Sequence, residues 1–240
     1  MCGRFSQSQI AELDREIFKL LSVPTLPPRY NVAPTQEVAV VRQGGDDAER
    51  SVGLLRWGLI PHWAKDPGIG NRMINARAES VADKPAFRNS FRERRCLVPA
   101  DGFYEWAKTK HGKQPYYVRV LGGRMFAFAG LWDTWRDSTG NTLDTFTIIT
   151  TEPNDLLRQV HNRMPVILRP DDYDRWLAPP GGDPAGLSGL LKPYPAEQMS
   201  YYPVSRYVNS PNNEGPECIR PAEEAAAEPG GADGTQGTLL

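Results

Sequence analysis

The sequence predicts an α+β fold, mainly an antiparallel β-sheet curled into a barrel-like shape with a few flanking helices. Three observations carry this. Short runs rich in β-branched and aromatic residues recur along the chain, separated by Gly, Pro and Asp turns. Two pairs of such runs are joined by tight turns, Gly44-Gly45-Asp46-Asp47 and Gly122-Gly123, as hairpins require. No strand–helix alternation with a Gly-rich phosphate loop occurs, which argues against Rossmann and P-loop architectures.

In chain order, Ser6 reads as an N-cap, and Ile10, Leu13, Ile17, Leu20 and Leu21 follow at helical spacing. Residues 7–21 are therefore expected to form an amphipathic helix, ended by the Pro-rich stretch 24–34. Strands are expected at Val38–Arg42 and Ser51–Trp57, then at Cys96–Val98 and Phe103–Ala107. Tyr116–Leu121, Met125–Leu131 and Thr145–Thr150 follow as further strands. Residues 152–160, opened by Thr151 and Pro153, read as a short helix, and Asp171–Leu177 as another. Residues 1–210 thus form one folded domain. From about Pro211, Pro, Gly, Ala and Glu dominate, and 211–240 is expected to be a mostly disordered acidic tail.

Composition narrows the function classes. A 40% hydrophobic share over 240 residues with six Trp supports a sizeable core. No apolar run approaches a membrane span of about 20 residues, and residues 1–21 lack the apolar centre of a signal peptide. Cys2, Cys96 and Cys218 are odd in number and widely spaced, pointing to a reducing cytoplasm rather than a disulfide framework. Cys96 is expected to be buried and inert, and Cys218 free and exposed. His62, His111 and His161 fall in no metal-site spacing, so no metal and no cofactor are expected. The net charge of −1 divides into about +4 over residues 1–211 and −5 over the tail. Residues 71–95 hold seven bases against three acids, compatible with a phosphate backbone as partner and equally with a solvated basic face.

The reactive residues lie in strand-like segments. The run Met1-Cys2-Gly3-Arg4-Phe5 would begin with cysteine once Met1 is removed. An N-terminal Cys has an amine of pKa about 7.7–8.0 beside a thiol near 8.5. Together they can capture an aldehyde, the amine as a Schiff base and the thiol by closing a thiazolidine. Alternatively the amine serves as base for a thiol hydrolase. Cys2 and Arg4 share a strand face, as do Asn75 and Arg77. Glu105, an acid among aromatics in Phe103-Tyr104-Glu105-Trp106, is a proton carrier if burial raises its pKa. His161 follows the short helix, whose C-terminus favours imidazolium. Taken singly, each has an ordinary structural reading: a surface acid, a turn Asn, a satisfied His.

Six motifs in order close the choice. They are Met1-Cys2-Gly3-Arg4-Phe5, Tyr30-Asn31-Val32-Ala33-Pro34-Thr35, Arg56-Trp57-Gly58-Leu59-Ile60-Pro61, Asn75-Ala76-Arg77-Ala78-Glu79, Arg95-Cys96-Leu97-Val98-Pro99 running on through Ala100-Asp101-Gly102-Phe103-Tyr104-Glu105-Trp106, and His161-Asn162-Arg163-Met164-Pro165-Val166. They closely resemble the SRAP family (SOS response-associated peptidase), over Cys2 to about Cys218. The resemblance implies a protein that shields abasic sites in single-stranded DNA by a covalent crosslink. In it Cys2 forms the thiazolidine with the ring-opened sugar, Asn75 holds the new α-amine, and Glu105 is the acid–base. His161 protonates the sugar oxygen and assists reversal. Arg4, Arg77 and Arg163 would be phosphate ligands, and Trp63 and Phe87 would wedge or stack beside the lesion. A monomer is expected, cytoplasmic and nucleoid-associated when crosslinked. The alternative is a thiol autopeptidase or peptidase using Cys2.

Overall fold

The structure, a computed structural model, describes residues 2–44, 49–110, 112–179 and 184–222. Part of the Gly44–Asp47 turn, His111 and residues 223–240 of the tail lie outside the described residues.

Thirteen strands are described: β1 (Phe5–Gln7), β2 (Arg29–Val32), β3 (Glu37–Gln43), β4 (Arg50–Trp57), β5 (Asn75–Arg77), β6 (Arg95–Ala100), β7 (Gly102–Thr109), β8 (Gly112–Val120), β9 (Phe126–Arg136), β10 (Thr142–Thr151), β11 (Met164–Pro165), β12 (Ile167–Leu168) and β13 (Met199–Pro203). The α-helices are short: α1 (Arg15–Phe18), α2 (Arg88–Glu93), α3 (Tyr173–Leu177) and α4 (Pro184–Ser188). The α+β class holds.

Five strands close on themselves in the order β4-β3-β6-β9-β10, because β10 pairs antiparallel with β9 and parallel with β4. β5 adds to the far end of β10 in parallel register, Ile148 opposite Asn75 and Thr150 opposite Arg77. A second, antiparallel sheet runs β13-β8-β7-β1-β2, so the hairpin expected across Gly122-Gly123 does not form: β8 pairs with β7 and β13, while β9 crosses into the barrel between β6 and β10. Strand alternation gives that sheet two different faces. Phe5, Phe103 and Val118 face the barrel and pack with Trp57, Phe128 and Phe146. Tyr104 and Tyr117 face the other way, under Val204, Val208 and Cys218. Phe18, Phe91, Tyr173 and Trp176 build a third cluster under the helices. At Gly102 the backbone passes so close to the Tyr117 ring that a Cβ would lie 2.1 Å from Cζ.

The helix expected over 7–21 is broken. Gln7 stays in β1 because its side-chain amide bonds Ala39 O (2.8 Å) and Pro99 O (2.9 Å). Ser6 bonds Asp101 and the Tyr117 hydroxyl instead of capping a helix. What remains is a 3-10 turn at Ile10–Glu12 and one turn of α1, capped by Asp14 and ended by left-handed Lys19. The helix expected at 152–160 shrinks to a 3-10 turn, Leu157–Gln159, held by Asn154. Residues 211–222, assigned to the tail by composition, pack onto the sheet. Glu214 pairs with Arg29, and Val204 bridges to Pro221. Cys218 is fully buried beneath Tyr104 and Tyr117 rather than exposed, while Cys96 is buried as expected.

Candidate active site

The barrel-facing side of the second sheet meets the outgoing end of β10, and the reactive side chains gather in that seam. β1 runs antiparallel to β7, Phe5 opposite Phe103 and Tyr104 N–H donating to Arg4 O at 2.9 Å. Cys2 therefore arrives alongside Glu105, which shares the barrel-facing side with Phe103. From the other side, β5 delivers Asn75, whose Nδ2 donates to the Cys2 carbonyl at 2.8 Å. The loop before β11 delivers His161, with Nε2 4.0 Å from Glu105 Oε2.

Burial sets the electrostatics. Glu105 is 4% exposed, and burial pushes its carboxyl up to about 7. Burial also drives the Cys2 thiol well above its ordinary range, and the Glu105 carboxylate adds to the effect. His161 is pushed below 6.5, first by burial. This reverses the helix-terminus argument made from sequence: a single 3-10 turn presents too few aligned peptides to favour imidazolium against desolvation. Arg163 offers His161 Nδ1 both its N–H (3.1 Å) and its carbonyl (3.2 Å). The ring is thus held whether or not Nδ1 carries a proton, as a proton carrier needs. Asn75 Oδ1 is buried and accepts no hydrogen bond among the described residues.

The flanking residues divide. Arg77 is exposed at the end of β5, and Trp63 is 52% exposed. Phe87 is not available as a wedge: it is 7% exposed and packs in the helix-side core with Phe91. Arg4, expected on the same strand face as Cys2, turns to the opposite face because β1 begins only at Phe5; there Nη1 donates to Asn31 Oδ1 (2.7 Å) and Val208 O (2.8 Å) and the guanidinium lies over Trp106. Arg163 binds Glu79 bidentately (2.5 and 3.0 Å) and Thr150 O (2.6 Å). Both arginines act as staples in this state rather than open phosphate ligands. Glu79 and Asn31 are the residues sequence reasoning passed over, although both stand inside the motifs quoted above. Asn31 donates to Val208, Ser210 and Asn213 carbonyls and so ties the C-terminal segment to β2. Among the described residues no group of His, Cys, Asp and Glu is arranged to hold a metal ion.

Comparison with known proteins agrees with this architecture. The chain is 46% identical over 225 residues to the abasic site processing protein YoqW of Bacillus subtilis, covering 91% of this chain and 99% of that one. It is 33% identical to the abasic site processing protein HMCES of Xenopus tropicalis, covering 80% of this chain and 65% of the relative. A crystal structure of a protein from Bacteroides thetaiotaomicron superposes with a TM-score of 0.80 at 30% identity, covering 92% of this chain and all of that one. The family model described as SOS response associated peptidase (SRAP) matches residues 1–211. With that match spanning nearly all of the described chain, the protein belongs to the SRAP family.

Proposed function

We propose that this chain processes abasic sites by crosslinking itself, through Cys2 after Met1 is removed, to the ring-opened deoxyribose in single-stranded DNA. The observation that carries the reading is the convergence of Cys2, Asn75, Glu105 and His161 from four separate chain segments on one seam. The names of the relatives, abasic site processing proteins, support the abasic-site part of this reading.

The chemistry follows from the groups present. Hydrolysis of the Met1–Cys2 bond consumes one water and frees the Cys2 α-amine. Asn75 holds the Cys2 carbonyl through Nδ2, and its vacant Oδ1 is the natural acceptor for an ammonium hydrogen. His161 gives a proton to the departing ring oxygen while the Glu105 carboxylate takes the C1′ hydroxyl proton, and the hemiacetal opens to the C1′ aldehyde. The deprotonated amine adds to C1′, and Glu105 protonates the carbinolamine oxygen, which leaves as water. Sγ then adds to the iminium carbon, its proton returning to Glu105 while the nitrogen keeps its one hydrogen. The net change is aldehyde plus aminothiol giving thiazolidine plus water. A carboxyl with pKa about 7 can act as donor and acceptor in turn near neutrality. Arg77 and Trp63 are left to hold the strand, without reading sequence.

The thiol peptidase reading is disfavoured by the Cys2 environment, since a peptidase nucleophile needs a depressed thiol pKa and this one is raised by burial. A thiol that closes on an imine already formed beside it has no such need. Intact mass before and after incubation with a single-stranded oligonucleotide carrying one abasic site tests the proposal. The expected product is the Met1-less protein plus oligonucleotide minus one water, stable to heat. An unchanged mass with Met1 absent and the aldehyde confirmed would sink it.

A further inference from the structure

We propose that Tyr116 and Tyr201 form a stacking wall for the nucleobase next to the abasic sugar. This rests on the crosslinking reading and adds a flanking-base preference to it. Tyr116 stands directly opposite Glu105 in the β7–β8 register, so the two share the barrel-facing side. On β13, Tyr201 pairs with Val118, which faces the same way. The two rings meet edge-on, with centroids 5.4 Å apart and planes at 89°. Both are half-buried, unlike the fully enclosed aromatics deeper in the seam. The Tyr201 hydroxyl reaches Gln159 Oε1 at 3.4 Å, two residues before His161. The wall therefore adjoins both elements that carry the reactive pair, β7 through the register of Tyr116 and the turn leading to His161 through the Tyr201–Gln159 bond.

An occupant follows from continuity with the site. A deoxyribose whose C1′ lies between Glu105 and His161 has no base of its own. The neighbouring base along the strand is the first group large and flat enough to meet the wall. Neither ring is charged, and a base has a π-face whatever its identity, so stacking is the available contact. Purines stack over a larger area than pyrimidines. Crosslinking should then be faster with a purine on one flank of the lesion, and the preference should disappear when the wall is removed.

The experiment measures single-turnover crosslinking of the full chain, at subsaturating protein, on single-stranded oligonucleotides. Each carries one abasic site flanked, on one side at a time, by adenine, thymine or a second baseless residue. On one side only, adenine should exceed the baseless flank by about fivefold to tenfold, with thymine between. Tyr201→Leu should reduce that ratio toward one, and Tyr201→Phe should retain it. Equal rates for all flanks on both sides would overturn the wall while leaving the crosslinking reading intact. The same holds if the preference persists undiminished in both Tyr201→Leu and Tyr116→Leu. Absence of any adduct with every oligonucleotide would overturn both.

Discussion

Glu105→Gln should make this protein more stable and nearly inactive. The carboxyl is almost completely enclosed, and burial moves its pKa from 4.5 to about 7. At about 1.36 kcal/mol per pH unit, that displacement corresponds to roughly 3 kcal/mol between the protonated and ionised folded states. The sign is that of an acid with a raised pKa. The folded chain binds the proton more tightly than the unfolded chain, so the contribution to stability is greatest below pH 4.5. It declines as pH rises and is gone above about 7. Glutamine keeps the shape without the charge and should escape this loss. In urea or thermal unfolding, the wild-type chain should lose about 2.5 kcal/mol more than Glu105→Gln between pH 5 and pH 8. At pH 8 the variant should melt roughly 6–12 °C higher, given about 2–4 °C per kcal/mol for a chain of this size. His161 titrates in the same window with the opposite sign, because its lowered pKa adds stability as pH rises. Because His161 faces Glu105 at 4.0 Å and the two interact, making the same comparison in a His161→Gln background removes that contribution. Crosslinking by Glu105→Gln should meanwhile slow by about 10²–10⁴-fold, as loss of general acid–base assistance implies. Identical pH dependence of stability in the two proteins would refute the burial argument, and unimpaired crosslinking would refute the role.

Other consequences are independent of that carboxyl. Cys2→Ala should form at most a borohydride-trappable imine and no heat-stable adduct, read by denaturing gel with and without reductant. Asn75→Ala loses the 2.8 Å bond to the Cys2 carbonyl, worth about 1–1.5 kcal/mol, and should slow crosslinking roughly tenfold and lower the melting temperature by about 2–6 °C. Phe87→Ala should cost about 3–4 kcal/mol in chemical denaturation and leave crosslinking per folded molecule unaltered, because Phe87 is core and not wedge. Asn31→Ala should destabilise by about 1–3 kcal/mol and increase protease cleavage between 206 and 222, since it removes the amide that holds three carbonyls of that segment.

The hairpin β3–β4, the long strand β10 and the order of the reactive motifs were legible because they rest on local pattern, whereas β8 and β9, expected to pair across Gly122-Gly123, part into different sheets because each finds its partners elsewhere in the chain. Alternation and turn chemistry act within a few residues. The barrel-facing place of Glu105 follows from the same period of two. The helix expected over 7–21 failed because its apolar residues serve two structures at once. Gln7 is claimed by β3 and β6, while Ile10, Leu13 and Leu20 still reach the core, so burial was preserved and helicity was not. Arg4 and Arg163 show the same limit in the site. Their charge was legible, but their partners, Asn31 at a separation of 27 residues and Glu79 at 84, are met only across the folded seam.

By itself the sequence determined the chemistry available here: a cysteine at position two, an acid set among aromatics, a histidine and a run of arginines. It also determined the mainly β character that carries them, since both are written in residue type and short-range spacing. Tertiary structure decided what those groups are. Enclosure raises Glu105 to about 7 and depresses His161, β5 seats Asn75 on the Cys2 carbonyl, and packing turns Arg4 and Arg163 into staples and Phe87 into core. Desolvation and long-range hydrogen bonding depend on which segments meet, and no local pattern encodes that meeting.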